Sequence, residues 1–95
     1  MIQGEKVSIK VIDFHAKWCG PCKTMAPLFD KMKEKYGAKA EFVKVDIEVD
    51  EDLASSYNIS SVPTFLIVKD DVTIAESIGS SKPVDFEKFI VENIG

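Results

Sequence analysis

The sequence predicts an α/β fold built on a central mixed sheet of about four strands, flanked by helices on both faces. Three observations carry that expectation. Runs rich in β-branched residues alternate with stripes of apolar residues spaced three or four apart, so the chain switches between strand and helix periodicity along its length. The first two strand-like runs are separated by a helical one, which calls for a right-handed parallel crossover. The last two are separated by a pair of aspartates, which calls for an antiparallel hairpin.

Val7 to Phe14 (VSIKVIDF) is dense in Val and Ile and reads as the first strand. From Pro21, apolar residues fall at Met25, Leu28, Phe29, Met32 and Tyr36, a helical stripe closed by Gly37, with Pro27 set to kink it. Glu41 to Ile47 (EFVKVDI) forms the second strand. Asp50 and Glu51 then open a short helix through Leu53, Ala54 and Tyr57, with Asn58 as its stop. After Pro63, TFLIVK and VTIAESIG read as two strands joined across Asp70 and Asp71, residues that tolerate a tight turn. Pro83 opens a last helix with Phe86, Phe89, Ile90 and Ile94 on one face.

With 95 residues, 45% of them hydrophobic, residues 1–95 make one domain, large enough to bury a core without covalent staples. A formal net charge of -4, with lysines scattered among acids, offers no basic face for phosphates. No nucleic acid and no membrane are therefore expected as partners. No stretch approaches the roughly 18 apolar residues of a membrane span. The N-terminal MIQGEKVSIK lacks the basic start, apolar run and small-residue cleavage site of a secretory signal. The expected setting is cytoplasmic, where thiols stay mostly reduced.

Both cysteines of the chain lie in KWCGPCK, Lys17 to Lys23, at the junction of the first strand and first helix. Unpaired N–H groups and the positive end of the helix dipole favour a thiolate at Cys19, just ahead of the helix. A free thiol, with a pKa of about 8.5, is only a few per cent ionised at neutral pH, so lowering that value raises the reactive fraction. Pro21 suits the first turn because its missing N–H has no helical partner there. The two intervening residues keep Cys22 within reach of a mixed disulfide on Cys19. Three other readings compete with a reactive dithiol. A structural disulfide would close a four-residue ring and remove about 2 kcal/mol of unfolded-state entropy, against about 3 for a 15-residue loop. Half of a zinc site would need, beyond His15, a carboxylate or a second subunit. Two inert, buried cysteines fit poorly with Gly-Pro and Trp18, which mark an exposed turn. Asp13 is a second anomaly, since a carboxylate among Val7, Ile9, Val11, Ile12 and Phe14 is costly unless paired, neutral or functional. It reads as a functional acid or as a strand-end residue capping a loop.

WCGPCK, following a strand that ends in DFHA, resembles the active site of the thioredoxin family. The likeness extends to Pro27 in the helix, VPT at Val62 to Thr64, Lys44 in the second strand and Gly79 late in the hairpin, in family order over residues 7–95. What it implies is the thioredoxin fold and a protein-disulfide reductase, an electron carrier working through a reversible Cys19–Cys22 dithiol/disulfide. By that resemblance Cys19 is the attacking thiolate and Cys22 the resolving thiol. Trp18, Gly20, Pro21, Val62, Pro63 and Gly79 form the substrate-binding surface. Pro63 matches the family's cis-proline, with the Val62 backbone pairing to an extended substrate strand; taken alone, it is a strand-starting proline. Asp13 becomes the buried acid beneath Cys22, its pKa raised by burial and partly restored by Lys44. By pattern alone, Lys44 is a solvated lysine sharing a face with Phe42 and Asp46. The resemblance implies no bound cofactor and no metal, since the two sulfurs carry the electrons and a flavin-dependent thioredoxin reductase recharges them. The implied partners are protein disulfide substrates and that reductase, met by a monomer. A second class of function uses the same groove, around Trp18 and Pro63, as a binding module or assembly subunit with redox activity incidental.

The chain departs from the family pattern in three places. The six residues ahead of Val7 are too few for the extra strand and helix with which common thioredoxins begin, so an N-terminally shortened sheet is expected. Asp70 and Asp71 replace the usual turn glycine. His15 stands where an aromatic such as tryptophan is common. It is either a partly exposed space-filler or a redox-tuning group that, when protonated, favours the Cys19 thiolate and makes the protein a better oxidant.

Overall fold

The computed structural model describes residues 8–95. Its elements are β1 (Ile9–His15), α1 (Gly20–Tyr36), β2 (Glu41–Asp46), α2 (Glu51–Ser56), β3 (Thr64–Lys69), β4 (Val72–Ile78) and α3 (Pro83–Ile94). Val7 as the first strand residue, and the shortening ahead of it, lie outside the described residues. Among the described residues four strands form one sheet in the order β2-β1-β3-β4. The α1 crossover leaves β1 and β2 parallel, with Val11 opposite Phe42 and Asp13 opposite Lys44. β3 runs antiparallel to both β1 and β4, so the sheet is mixed as the element order requires.

Strand alternation sorts the core into two layers. On one face, Val11, Phe42, Phe65 and Ile67 pack beneath Met25, Phe29 and Met32 of α1 and Phe86, Ile90 and Ile94 of α3. On the other, Ile12, Phe14, Val45, Leu66 and Val68 meet Ala54 of α2. Helices therefore cover both faces. The same alternation puts Asp13 and His15 on the side of Val11, under the helix that begins at the cysteines.

Local chemistry explains the joints. α1 runs unbroken through Pro27, giving up only the hydrogen bond to the Lys23 carbonyl. Gly37 caps it in right-handed geometry, at φ -61°, because the chain continues into a turn in which Lys39 N and Ala40 N both donate to the Tyr36 carbonyl. Asn58 ends the α2 segment at φ 58°. Asp70 and Asp71, at φ 50° and 69°, supply the two left-handed residues that a type I′ hairpin demands. Asp70 also accepts from Ser8 N through Oδ1 at 3.0 Å and donates its own N–H to the Ser8 carbonyl at 2.8 Å. That pair of bonds ties the hairpin tip to the start of β1.

Candidate active site

After β1 the chain bends over Ala16, whose carbonyl accepts from Cys19 N at 3.2 Å. The bend leaves Cys19 as the N-cap of α1 in extended geometry, and its Sγ accepts a hydrogen bond from Cys22 N at 3.1 Å. Sulfur here takes the place that a Ser or Asp oxygen fills in most helix caps. Cys19 and Cys22 are joined as a disulfide with Cα atoms 5.3 Å apart. An N–H aimed at Cys19 Sγ and the positive end of a helix are both features that favour negative charge on a sulfur.

The exposed turn expected around the cysteines is only half right. Lys17, Trp18, Gly20 and Pro21 are exposed, yet Cys19 and Cys22 are buried, 4% and 6% accessible. The backbone of the turn faces outward while the sulfurs point in, packing with Ala16 against Ile47 and Val62. Val62 comes from the loop before β3. Its peptide bond to Pro63 is cis, and the buried Pro63 accepts from Gly79 N through its carbonyl at 2.8 Å. Gly79 itself sits at φ 87°, a conformation that favours glycine. Two loops distant in sequence thus meet beside the cysteines. Trp18 projects outward, 66% exposed, and its Nε1–H donates to Glu48 Oε2 at 3.0 Å. Glu48 has no mark in the sequence. It reaches Trp18 because parallel β1/β2 pairing continues past the strands, with Ile47 N donating to the His15 carbonyl.

Beneath Cys22 lies a cavity of about 150 Å³ lined by Asp13, His15, Cys22 and Lys44, with Ala26 of α1 beside them. Asp13 is 3% exposed in the middle of β1, which removes the loop-capping reading, and its Oδ1 has no hydrogen-bond partner among the described residues. Burial pushes its pKa from 3.8 up to about 6; His15 and then Lys44 pull it back, and Asp30 pushes it further up. Lys44 thus opposes the rise, as expected, but its ion partner is Asp30 of α1, with Nζ 2.7 Å from Oδ1. Both members of that pair are well exposed, so pairing there leaves the ammonium hydrated, whereas reaching Asp13 would bury it. His15 is half-buried at the end of β1, two residues from Asp13 on the same strand face.

Among the described residues no cluster of three or more His, Cys, Asp or Glu could hold a metal ion, and no helix is long and apolar enough to cross a membrane.

Comparison with known proteins matches this arrangement. The family model described as Thioredoxin matches residues 2–92. Thioredoxin C-2 of Corynebacterium nephridii is 38% identical over 84 residues, which span 88% of this chain and 78% of that protein. The thioredoxin of Borreliella burgdorferi is 38% identical over 85 residues, covering 90% and 73%. The crystal structure of the reduced Schistosoma mansoni thioredoxin pre-protein superposes with a TM-score of 0.80 at 45% identity, covering 90% of this chain and 78% of that one. A dithiol switch at a helix start, on this sheet and at this level of identity, places the chain in the thioredoxin family of thiol-disulfide oxidoreductases.

Proposed function

We propose that the chain reduces disulfides of other proteins, acting as a monomeric single-domain electron carrier in the cytoplasm. The observation that carries this reading is the Cys19–Cys22 disulfide at the first turn of α1 with the unpartnered Asp13 carboxylate in the cavity beneath it. The Cys19 thiolate attacks a substrate disulfide, forming a mixed disulfide and expelling one substrate thiolate. Cys22 then gives its proton to Asp13 and attacks Cys19 Sγ. The Cys19–Cys22 bond forms as the bond to the substrate breaks, and the second substrate thiolate leaves with the electron pair. A flavin-dependent thioredoxin reductase returns two electrons to the pair, so no cofactor need reside on this chain.

Asp13 near pH 6 suits its part: it is a base strong enough to take a proton yet ionised for most of the time at neutral pH. Lys44 helps to keep it ionised. Trp18, Gly20, Pro21, Val62, Pro63 and Gly79 form the docking surface, supported by their convergence beside Cys19. The Val62 backbone offers hydrogen bonds to an extended substrate segment. His15 tunes the potential from the same cavity. The test is acceleration of insulin reduction by dithiothreitol, followed as turbidity. Wild-type protein accelerates it and Cys19→Ser does not; absence of wild-type acceleration refutes the reading.

A further inference from the structure

We propose that His15 is the proton relay of the resolving step, carrying protons between the buried Asp13 carboxylate and solvent. The proposal rests on the reading above, in which Cys22 resolves the mixed disulfide and Asp13 receives its proton. Asp13 and His15 are two apart on one strand, so they face the same way, with their backbones roughly 6 to 7 Å apart. Both line the cavity that reaches Cys22, and its volume of about 150 Å³ admits several water molecules at about 30 Å³ each. Of the two, Asp13 is the buried one, 3% exposed with an unpartnered oxygen, and His15 is half-buried.

The other charged groups around the cavity do not serve. Lys44 of β2, Lys17 of the loop and Lys23 of α1 also line it, but an ammonium donates hydrogen bonds and accepts none. Asp30 of α1 is exposed and engaged by Lys44. Imidazole is the side chain that both takes and gives a proton close to neutral pH. In the relay, Cys22 Sγ–H passes its proton to Asp13, and the Cys22 thiolate closes the disulfide as the substrate thiolate departs. Asp13 then passes that proton through solvent in the cavity to one imidazole nitrogen of His15. The other nitrogen releases a proton to bulk water, where the departing substrate thiolates are protonated. One proton leaves Cys22 and one reaches solvent, while the two electrons go to the substrate.

The test measures the rate of Cys19–Cys22 disulfide formation in a single turnover with insulin, by acid quench and thiol alkylation, across neutral pH. Wild type, His15→Gln, Asp13→Asn and the double variant are compared, each with and without added imidazole. The expected result is a rate at least about tenfold lower in His15→Gln, on the scale of general acid–base catalysis, restored by imidazole. In the Asp13→Asn background the same substitution should change the rate less than about twofold, because the relay has lost its donor. Three results would each overturn the proposal: no slowing in His15→Gln, slowing that imidazole does not restore, or equal slowing with and without Asp13. His15→Trp, which restores the family's aromatic, repeats the comparison should glutamine disturb the fold. The wild-type rate reports on the oxidoreductase reading and the ratios between variants report on His15, so the two can fail separately.

Discussion

Replacing Asp13 by asparagine removes a charge from the sheet interior, and the resulting change in stability should depend on pH in a calculable way. In the folded protein the Asp13 carboxyl titrates at about 6 against an ordinary value of 3.8. A carboxyl whose folded pKa is raised holds its proton more tightly in the folded state. Its favourable contribution is complete below the unfolded value of 3.8, fades as pH rises, and is gone above about 6, leaving the cost of a buried anion. That difference, at about 1.4 kcal/mol per pH unit, comes to about 3 kcal/mol. Asn brings amide hydrogens of its own into the cavity, at a cost of about 1 to 3 kcal/mol if they stay unpartnered, but that offset does not vary with pH. The quantity to follow is therefore the stability of Asp13→Asn minus that of wild type, from guanidinium unfolding of the oxidised proteins. It should rise by about 3 kcal/mol between pH values below 3.8 and above 7, which for a domain this size corresponds to roughly 12 to 24 °C in Tm. A difference that stays flat with pH, or falls as pH rises, would show that the buried carboxylate is not the source of the shift.

Four further outcomes follow from the same geometry. Lys44→Met removes a charge that holds Asp13 down, so the Asp13 carboxyl should titrate above about 6 in an NMR titration; a fall would mean that Lys44 does not favour the charged carboxylate. His15→Trp should lower the redox potential measured against glutathione, and an unchanged or higher potential would rule out electrostatic tuning by His15. Phe86 is 1% exposed and meets Phe65 edge-on at 4.8 Å, so Phe86→Ala should lose about 3 to 5 kcal/mol in guanidinium unfolding. Gly79 sits at φ 87° with open space around its Cα, and Gly79→Ala should therefore lose only the conformational strain, about 1 to 2 kcal/mol. A loss well above that range would mean that the side chain clashes after all.

Much of the fold was legible because its signals are local. TFLIVK reads as a strand from composition and is β3 from Thr64 to Lys69. The stripe from Met25 to Tyr36 reads as a helix and buries Met25, Phe29 and Met32. Pro83 opens α3 because its ring already has helical φ. The turn at Asp70 and Asp71 was visible as a turn, but the type followed from the register of β3 against β4 and the twist that both strands impose. The clasp from Asp70 to Ser8 spans 62 residues, and nothing in either local sequence announces it.

The site divides along the same line. WCGPCK alone determined that a thiol would sit at a helix start with a second thiol one turn away, because cap and helix geometry are set by neighbouring residues. The parity of β1 likewise put Asp13 and His15 on a common face. Tertiary structure decided which face that was, that Asp13 and Cys22 share one cavity, that Lys44 turns to Asp30, and that Glu48 receives the Trp18 indole. Each of those depends on strand order and on α1 lying over β1 and β2, which arise from burial of apolar surface over the whole chain. Two nearby cysteines make a disulfide possible from sequence alone. The buried acid and the histidine beside them acquire their chemistry only when the fold buries one and leaves the other half-exposed on the same cavity.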